Sequence, residues 1–487
     1  MKTKTAAKNS KNTASLPNFK IEQSNKIDIT ANSGLFLLAE LIKKIDLLEK
    51  LARLNIFQRQ KIGEAVHTLT LVLNQFTGGD AIYDTKNLKD DEALQTIFGD
   101  MHIPAPHTSG DFLERFTEES IERLRKIIYK MQENSLKKLA KRLEKRITIS
   151  LDSSLYEVFG NCKEKSSQSF KNIFGFHPLF LHIHDTGELL DIVFRGGKAF
   201  TSNGAVQMLK DNIDRLTPYF DEIILLADSG FFEKAIVEAC EEKGIKFIIT
   251  AELNAPLIRS LTEPSLVWDA PTKDEDDEKA TVNRRDSHTM NYRMENLKQN
   301  LKKRGKELKI RGPVEATEFD HIVAAWAKEY RFVYKRQLIF KQDLSNQNDC
   351  FEETDEYFYH GYVTNIDKDV KSLEEIIPMI NSRGHQENFI KDFKQGLGTV
   401  HIPTKHFYGN YAYFLISMLS WNLKCWLLDA IAPELKIHWK RFRYLFVKVG
   451  AQILKTGRYV VIRFGKGFVR VQEFVTWFER LQEPIFE

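Results

Sequence analysis

Three acidic residues stand where a chain could do metal-assisted chemistry on phosphate esters. Asp152 closes the run Ile147–Asp152 (ITISLD), where Ile147, Ile149 and Leu151 alternate with Thr148 and Ser150 in the period of two of a half-buried strand. Asp228 closes a second apolar run, Glu222–Asp228 (EIILLAD), and both acids are followed by small residues. Glu387 lies in Arg383–Lys394 (RGHQENFIKDFK), where Arg383, Glu387, Lys391 and Lys394 recur at spacings of four, four and three and so share one face of a helix. Each segment also has a plain structural reading. A lone Asp at a strand end more often opens an Asx turn, and a helix face of mixed charge is commonly a set of solvated ion pairs. One divalent-metal site accounts for all three together. Mg²⁺ takes hard oxygen ligands and keeps several waters, so two or three carboxylates from separate elements suffice. Two such ions roughly 4 Å apart activate an attacking water or hydroxyl and stabilise the leaving oxygen of a phosphodiester. The cations beside Glu387 would hold the phosphates.

With these residues together, the chain resembles the DDE transposases of bacterial insertion sequences, most closely the set known as transposase DDE domain group 1. The resemblance covers most of the chain. In that family the first Asp ends a strand like ITISLD, the second lies in a segment like LLADSGFF, and the Glu belongs to an Arg-x3-Glu-x6-Lys helix, a spacing matched by Arg383, Glu387 and Lys394. The family's tyrosine three residues before the Arg is replaced here by Ile380, so a phosphate contact from that position does not carry over. Upstream, Gly78–Gly99 and the GDFLERF run from Gly110 resemble the segments that precede the catalytic domain.

The resemblance implies an α/β fold: an RNase H-like mixed sheet with flanking helices, interrupted by a β-rich insertion and preceded by an all-helical N-terminal domain. It implies metal-dependent cleavage at the element's ends and strand transfer into target DNA, with Asp152, Asp228 and Glu387 as catalytic acids and ligands of two Mg²⁺ ions, Mn²⁺ being able to substitute. Arg383, Lys391 and Lys394 would contact DNA. The partners would be double-stranded DNA, as terminal inverted repeats and as target, bound by a homodimer, with no membrane. The setting would be the bacterial cytoplasm, at the nucleoid. Two alternatives remain open at this point: a transposase-derived DNA-binding protein without activity, and a nuclease of the same fold without strand transfer.

The elements that must position these residues follow from periodicity. At 487 residues with 42% hydrophobic and 28% charged residues, the chain suits several packed units of a soluble protein. Residues 1–25 are Lys-rich and polar without an apolar stretch, which reads as a disordered basic arm and not a secretory signal. Residues 26–145 read as helical, with helices around Leu35–Leu48, Ile62–Phe76 and Ala93–Phe98 and a long one from Ser109 to Lys145; the resemblance makes this the DNA-binding domain. Residues 146–252 read as three strands, helix, strand, helix, strand, with Phe176–His184 and Leu189–Arg195 joined by the turn Asp185-Thr186-Gly187. That is the order of an RNase H-like core, whose first and fourth strands lie side by side. The stretch 253–375 is too long for a loop and implies an insertion, strand-like at Arg331–Phe340 and Tyr357–Thr364 and densely charged from Asp274 to Arg311. In related transposases an aromatic of the insertion accepts a flipped base, and the resemblance makes Trp268 and Trp326 the candidates here, although aromatics on such segments are more often core. Residues 376–433 complete the catalytic core, and the apolar run Tyr411–Ala432, interrupted by Asn422, Lys424 and Asp429, reads as a buried helix. The four cysteines form no CxxC pair, which argues against zinc and disulfides.

The net charge of +4 is small, so affinity for DNA must come from where the cations lie. They concentrate in the segment 434–487: from Leu435 to Arg470 there are ten Lys and Arg and no Asp or Glu, with aromatics interleaved. Lys440, Arg441, Arg443 and Lys448 are the expected contacts to the phosphate backbone, which positions DNA without reading it.

Overall fold

The computed structural model describes residues 27–56, 61–269, 299, 306–323, 326, 328–343, 356–382 and 385–485. The expected basic arm, most of the charged stretch Asp274–Arg311, and Arg383 lie outside them.

The fold is mixed α/β, built on an eight-stranded sheet. Its strands, numbered in chain order, are β1 (Arg146–Ser153), β2 (Leu179–Ile183), β3 (Leu189–Val193), β4 (Glu222–Ala227), β5 (Lys246–Ala251), β6 (Lys306–Val323), β7 (Lys328–Asp343) and β8 (Glu356–Thr364). Across the sheet the order is β6-β7-β8-β5-β4-β1-β2-β3. Only the pairs β1/β4 and β4/β5 are parallel. The helices Ala205–Leu216 and Lys234–Glu242 make the crossovers between β3 and β4 and between β4 and β5. The strands of the 253–375 stretch continue this sheet: β8 pairs with β5, and β7 and β6 follow outward. β6 falls partly in the stretch whose charge density masked its strand character. Between β1 and β2 a small sheet of Tyr156–Glu157, Ser167–Gln168 and Phe174–Phe176 takes in Phe176, so β2 itself starts after Pro178.

Alternation along the strands makes two apolar faces. On one, Ile147, Ile149 and Leu151 of β1 and Leu225 and Ala227 of β4 pack with Met208, Leu209 and Ile213 of helix 205–216 and with Ile236, Val237 and Cys240 of helix 234–242. On the other, Phe180, Leu189 and Ile192 meet the helix Phe407–Ile431 and the N-terminal helices, while Ile224, Leu226 and Ile248 meet Ile376 and Ile380 of helix Leu373–Ser382. Helix 407–431 is long and apolar enough to cross a membrane, but 83% of its most apolar window is buried inside the protein.

The N-terminal helices are Leu35–Lys44, Leu47–Ala52, Glu64–Thr77, Thr85–Lys89, Glu92–Ile97, Pro106–Glu114 and Glu118–Arg142. The long helix expected from Ser109 is thus two. It breaks before Thr117, whose hydroxyl caps the second by accepting the N–H of Ser120 at 3.4 Å, while Ser120 Oγ accepts the N–H of Thr117. These helices share one core with the C-terminal segment, from Leu35 through Phe442 to Leu481. The strand Ile29–Thr30 pairs with Ala451–Lys455, and that with Val460–Phe464, in a separate three-stranded sheet.

Candidate active site

β1 and β4 run in parallel with Leu151 level with Ala227. Asp152 and Asp228, one residue further on, therefore leave neighbouring strands at one level, with backbones about 5 Å apart. Leu151 and Ala227 belong to the face packed on helices 205–216 and 234–242. Both acids alternate to the opposite face, since Asp228 keeps extended geometry (φ −85°, ψ 178°).

Each acid also makes a local turn bond. Asp152 Oδ1 accepts the N–H of Ser153 at 2.7 Å, and Asp228 Oδ1 accepts the N–H of Gly230 at 2.9 Å, capping the turn Ser229–Phe231. The small residue after Asp228 has a steric reason: a Cβ on Gly230 would lie 2.7 Å from Thr201 Cγ2 and 3.1 Å from Asp228 Oδ1. Thr201 belongs to a loop held from below by buried Arg195, whose guanidinium donates to the carbonyls of Phe200 and Thr201 at 3.1 Å. Burial lowers Arg195 to about 10.

Glu387 lies in the first turn of the helix His385–Gly396, whose backbone the surrounding contacts locate. Asp152 and Phe180 are cross-strand partners and share a face. On that face Phe180 meets Phe389 and Phe393 of the helix at ring separations of 6.3 and 5.5 Å, and His182 stacks on Phe389 at 4.7 Å. The helix bearing Glu387 thus covers the face from which the two aspartates emerge. Lys394 ties its other end to the residues after β1: Nζ donates to the carbonyl of Leu155 at 2.6 Å and lies 4.4 Å from the Tyr156 ring. Burial lowers the Lys394 ammonium to about 8, and the negative charge of Asp152 works against that shift, so the two are within electrostatic reach. Lys391 is exposed. Beside Lys394 opens a cleft of about 630 Å³, lined among others by Leu155, Tyr156, Lys163 and His401.

Ile380, at the position of the family's tyrosine, is buried with Ile376 against Leu226 and Ile248. The next residue, Asn381, accepts a hydrogen bond from Lys335 Nζ of β7 at 2.7 Å. Sequence reasoning missed Lys335, Tyr156 and Arg195, because nothing local marks a buried Lys, Tyr or Arg as a partner of a distant segment. The candidate tryptophans both sit in packing contacts. Trp326 meets Phe232 at 4.9 Å, and Trp268 lies under the Arg336 guanidinium at 4.1 Å.

The C-terminal cations divide. Lys440, Arg441 and Lys448 are exposed. Arg443 is half-buried and donates to the carbonyls of Gln75 (2.7 Å), Phe76 (3.2 Å) and Gly396, closing the C-terminal ends of two helices.

Among the described residues no three His, Cys, Asp or Glu side chains cluster as a metal site. Asp152 and Asp228 offer two hard-oxygen donors on one face beneath the helix that contains Glu387. That donor set fits a hard divalent cation, and Lys394 beside it can neutralise a phosphate oxygen.

The model of the family described as transposase DDE domain group 1 matches residues 20–484. The chain belongs to this family. It is a DNA transposase, an enzyme of DNA recombination, in a family that works with divalent metal ions. Among solved structures, a piggyBac transposase synaptic complex with hairpin DNA, determined by cryo-EM, is similar at a TM-score of 0.35 and 11% identity, over 84% of this chain and 78% of that one. A search of curated proteins finds no matching relative.

Proposed function

We propose that Asp152, Asp228 and Glu387 are the metal-binding acids of a transposase that cuts the ends of its own element and joins the freed 3′ hydroxyls to target DNA. The observation that carries this reading is the level pairing of β1 with β4, which puts Asp152, next to last in β1, beside Asp228, the first residue after β4. The order β3-β2-β1-β4-β5 supports an RNase H-like core, with residues 146–252 and 376–433 as its two parts and residues 253–375 as an insertion that widens the sheet.

Two Mg²⁺ ions are the proposed cofactor, with Mn²⁺ able to substitute. When bound they supply activation of the attacking water or hydroxyl and stabilisation of the leaving oxygen. The chain's own residues bind and orient. Lys394, charged below about pH 8, neutralises a phosphate oxygen next to Asp152, and exposed Lys391 on the same helix is a further phosphate contact. Arg383, four residues before Glu387, is proposed as a DNA contact from its spacing alone. No side chain attacks phosphorus, so no covalent intermediate with protein forms. Away from the site, Lys440, Arg441 and Lys448 of the 434–487 segment hold the DNA backbone, together with the helices of residues 26–145. The substrates are duplex DNA with terminal inverted repeats and a target duplex. A homodimer on DNA would serve the two ends of an insertion sequence in the bacterial cytoplasm.

The test uses duplexes carrying the element's ends, Mg²⁺ and purified protein. Wild type yields cut ends and joined products. D152N, D228N and E387Q yield neither, while binding DNA within a few-fold of wild type. Cleavage without joining would reduce the protein to a nuclease, and cleavage by one of the three variants would show that the wrong acid has been assigned.

A further inference from the structure

We propose that the outer face of the small C-terminal sheet reads base edges in the major groove of duplex DNA, a specificity function that rests on the DNA-binding reading above. The sheet runs Ile29–Thr30, Ala451–Lys455, Val460–Phe464, and its two registers place Ile29, Gln452 and Arg463 abreast. Directly opposed residues of antiparallel strands share a face. The next row, Thr30, Ala451 and Phe464, faces inward: Thr30 and Ala451 are buried, and Phe464 meets Phe468 and Phe474 at ring separations of 5.0 and 5.4 Å. The outer face is open, with Ile29 63% and Val461 38% exposed. On it Arg463 Nη1 donates to Gln452 Oε1 at 3.4 Å, which holds the two planar heads side by side.

A two-stranded ribbon fits the major groove. There an Arg fork matches guanine O6 and N7, a Gln amide matches adenine N6 and N7, and an apolar side chain meets the thymine methyl. Arg463, Gln452 and Val461 are those three types on one face. The rim supplies phosphate contacts through exposed Lys448, Arg458 and Lys466, and no acid lies between Glu434 and Glu473. Two neighbouring cations are engaged within the protein, Lys455 with Asp100 and Arg470 with Glu473 and the Leu445 carbonyl. The open edge of Val460–Phe464 could in principle pair with the same strand of a second copy. That pairing crowds Arg458, Arg463 and Lys466 against their own counterparts, and like-charge repulsion opposes it.

The experiment selects duplexes from a random-sequence pool with the full-length protein. Wild type should enrich a motif. R463A and Q452A, with unchanged melting, should each lose preference at one or two adjacent positions of it, by roughly 10-fold or more per position. R458A/K466A should weaken retention of all sequences alike and keep the motif. Unchanged enrichment by folded R463A and Q452A would overturn the assignment, as would wild-type retention of duplex with no motif. Conversion of a wild-type dimer to monomer by R463A in light scattering, with the motif intact, would also overturn it and give the face to a second copy. If wild type retains no duplex at all, the DNA-binding reading falls and takes this inference with it.

Discussion

Lys394 makes the charge of the site depend on pH. Burial depresses it to about 8, and a lysine loses its cation above its pKa, so Lys394 can neutralise a phosphate below about pH 8 and not above. Cleavage by wild type at fixed free metal should fall as pH rises through about 8, whereas K394R, whose guanidinium stays charged, should hold its rate to higher pH. Coincident profiles for the two proteins would remove Lys394 from the phosphate. Gly230 makes a steric prediction. The methyl of G230A would collide with Thr201 and crowd Asp228 Oδ1, so it should cost about 1–3 kcal/mol of stability and lower cleavage more than binding, read by urea titration beside a cleavage assay. At this scale the sequence is legible wherever a residue's neighbours along the chain decide its role. Asp152 and Asp228 announce themselves because a strand alternates up to each of them. Arg443 shows the limit, since nothing in its acid-free run tells that its guanidinium meets the carbonyls of Gln75, Phe76 and Gly396.

A cation from another element closes the C-terminal end of helix His385–Gly396, another holds the end of the preceding helix Leu373–Ser382, and each hold can be tested. Arg443 closes its last carbonyl together with two carbonyls of helix Glu64–Thr77. R443A leaves these carbonyls without their donor, and the expected loss is roughly 2–4 kcal/mol in urea, with the salt dependence of DNA binding unchanged. A flattened salt dependence in a protein of unchanged stability would return Arg443 to the DNA surface. Before the helix begins, Lys335 holds Asn381, and burial lowers Lys335 to about 8 against 10.5 for an unperturbed lysine. Between these values the unfolded chain binds more protons than the folded one, so this group makes stability rise with pH from about 8 to 10.5. K335M should remove that rise, and parallel stability curves for wild type and variant across the window would contradict the burial of a lysine that can lose its charge. Helix 407–431 was legible as a long apolar run, and the strand through Asp152 by its alternation. β6 was not, because its charged residues follow no regular period of two and its strand character comes from the ladder with β7. The break before Thr117 was written in a capping box inside a run whose apolar period continues on both sides.

For the whole molecule, the least legible feature is that residues 29–33 meet residues 449–452. Thr30 lies level with Ala451 in one small sheet, and Ser33 Oγ donates to the Val449 carbonyl at 2.7 Å. Composition marks residues 434–487 as a basic segment of their own, yet Trp439, Phe442 and Phe446 are buried in the core they share with the N-terminal helices. Periodicity identifies which residues are apolar but not which distant run they meet. The consequence for function is that the cationic surface is carried on a core packed from the N-terminal helices and the C-terminal segment. Its side chains should therefore act on DNA without a folding cost. Neutralising Lys440, Arg441 and Lys448 together should leave stability within about 0.5 kcal/mol, as is usual for exposed positions. It should also flatten the slope of log affinity against log salt by roughly 0.9 for each phosphate that is no longer neutralised, or about 2–3 for all three. Affinity for end-bearing and random duplexes should fall by similar factors, because cations on the phosphate backbone position DNA without reading it. Titration of both duplexes at several salt concentrations measures this. An unchanged slope in the folded triple variant would move the backbone-binding surface elsewhere, whereas weakening confined to end-bearing DNA would mean that these three side chains read sequence, the role argued above for Gln452 and Arg463.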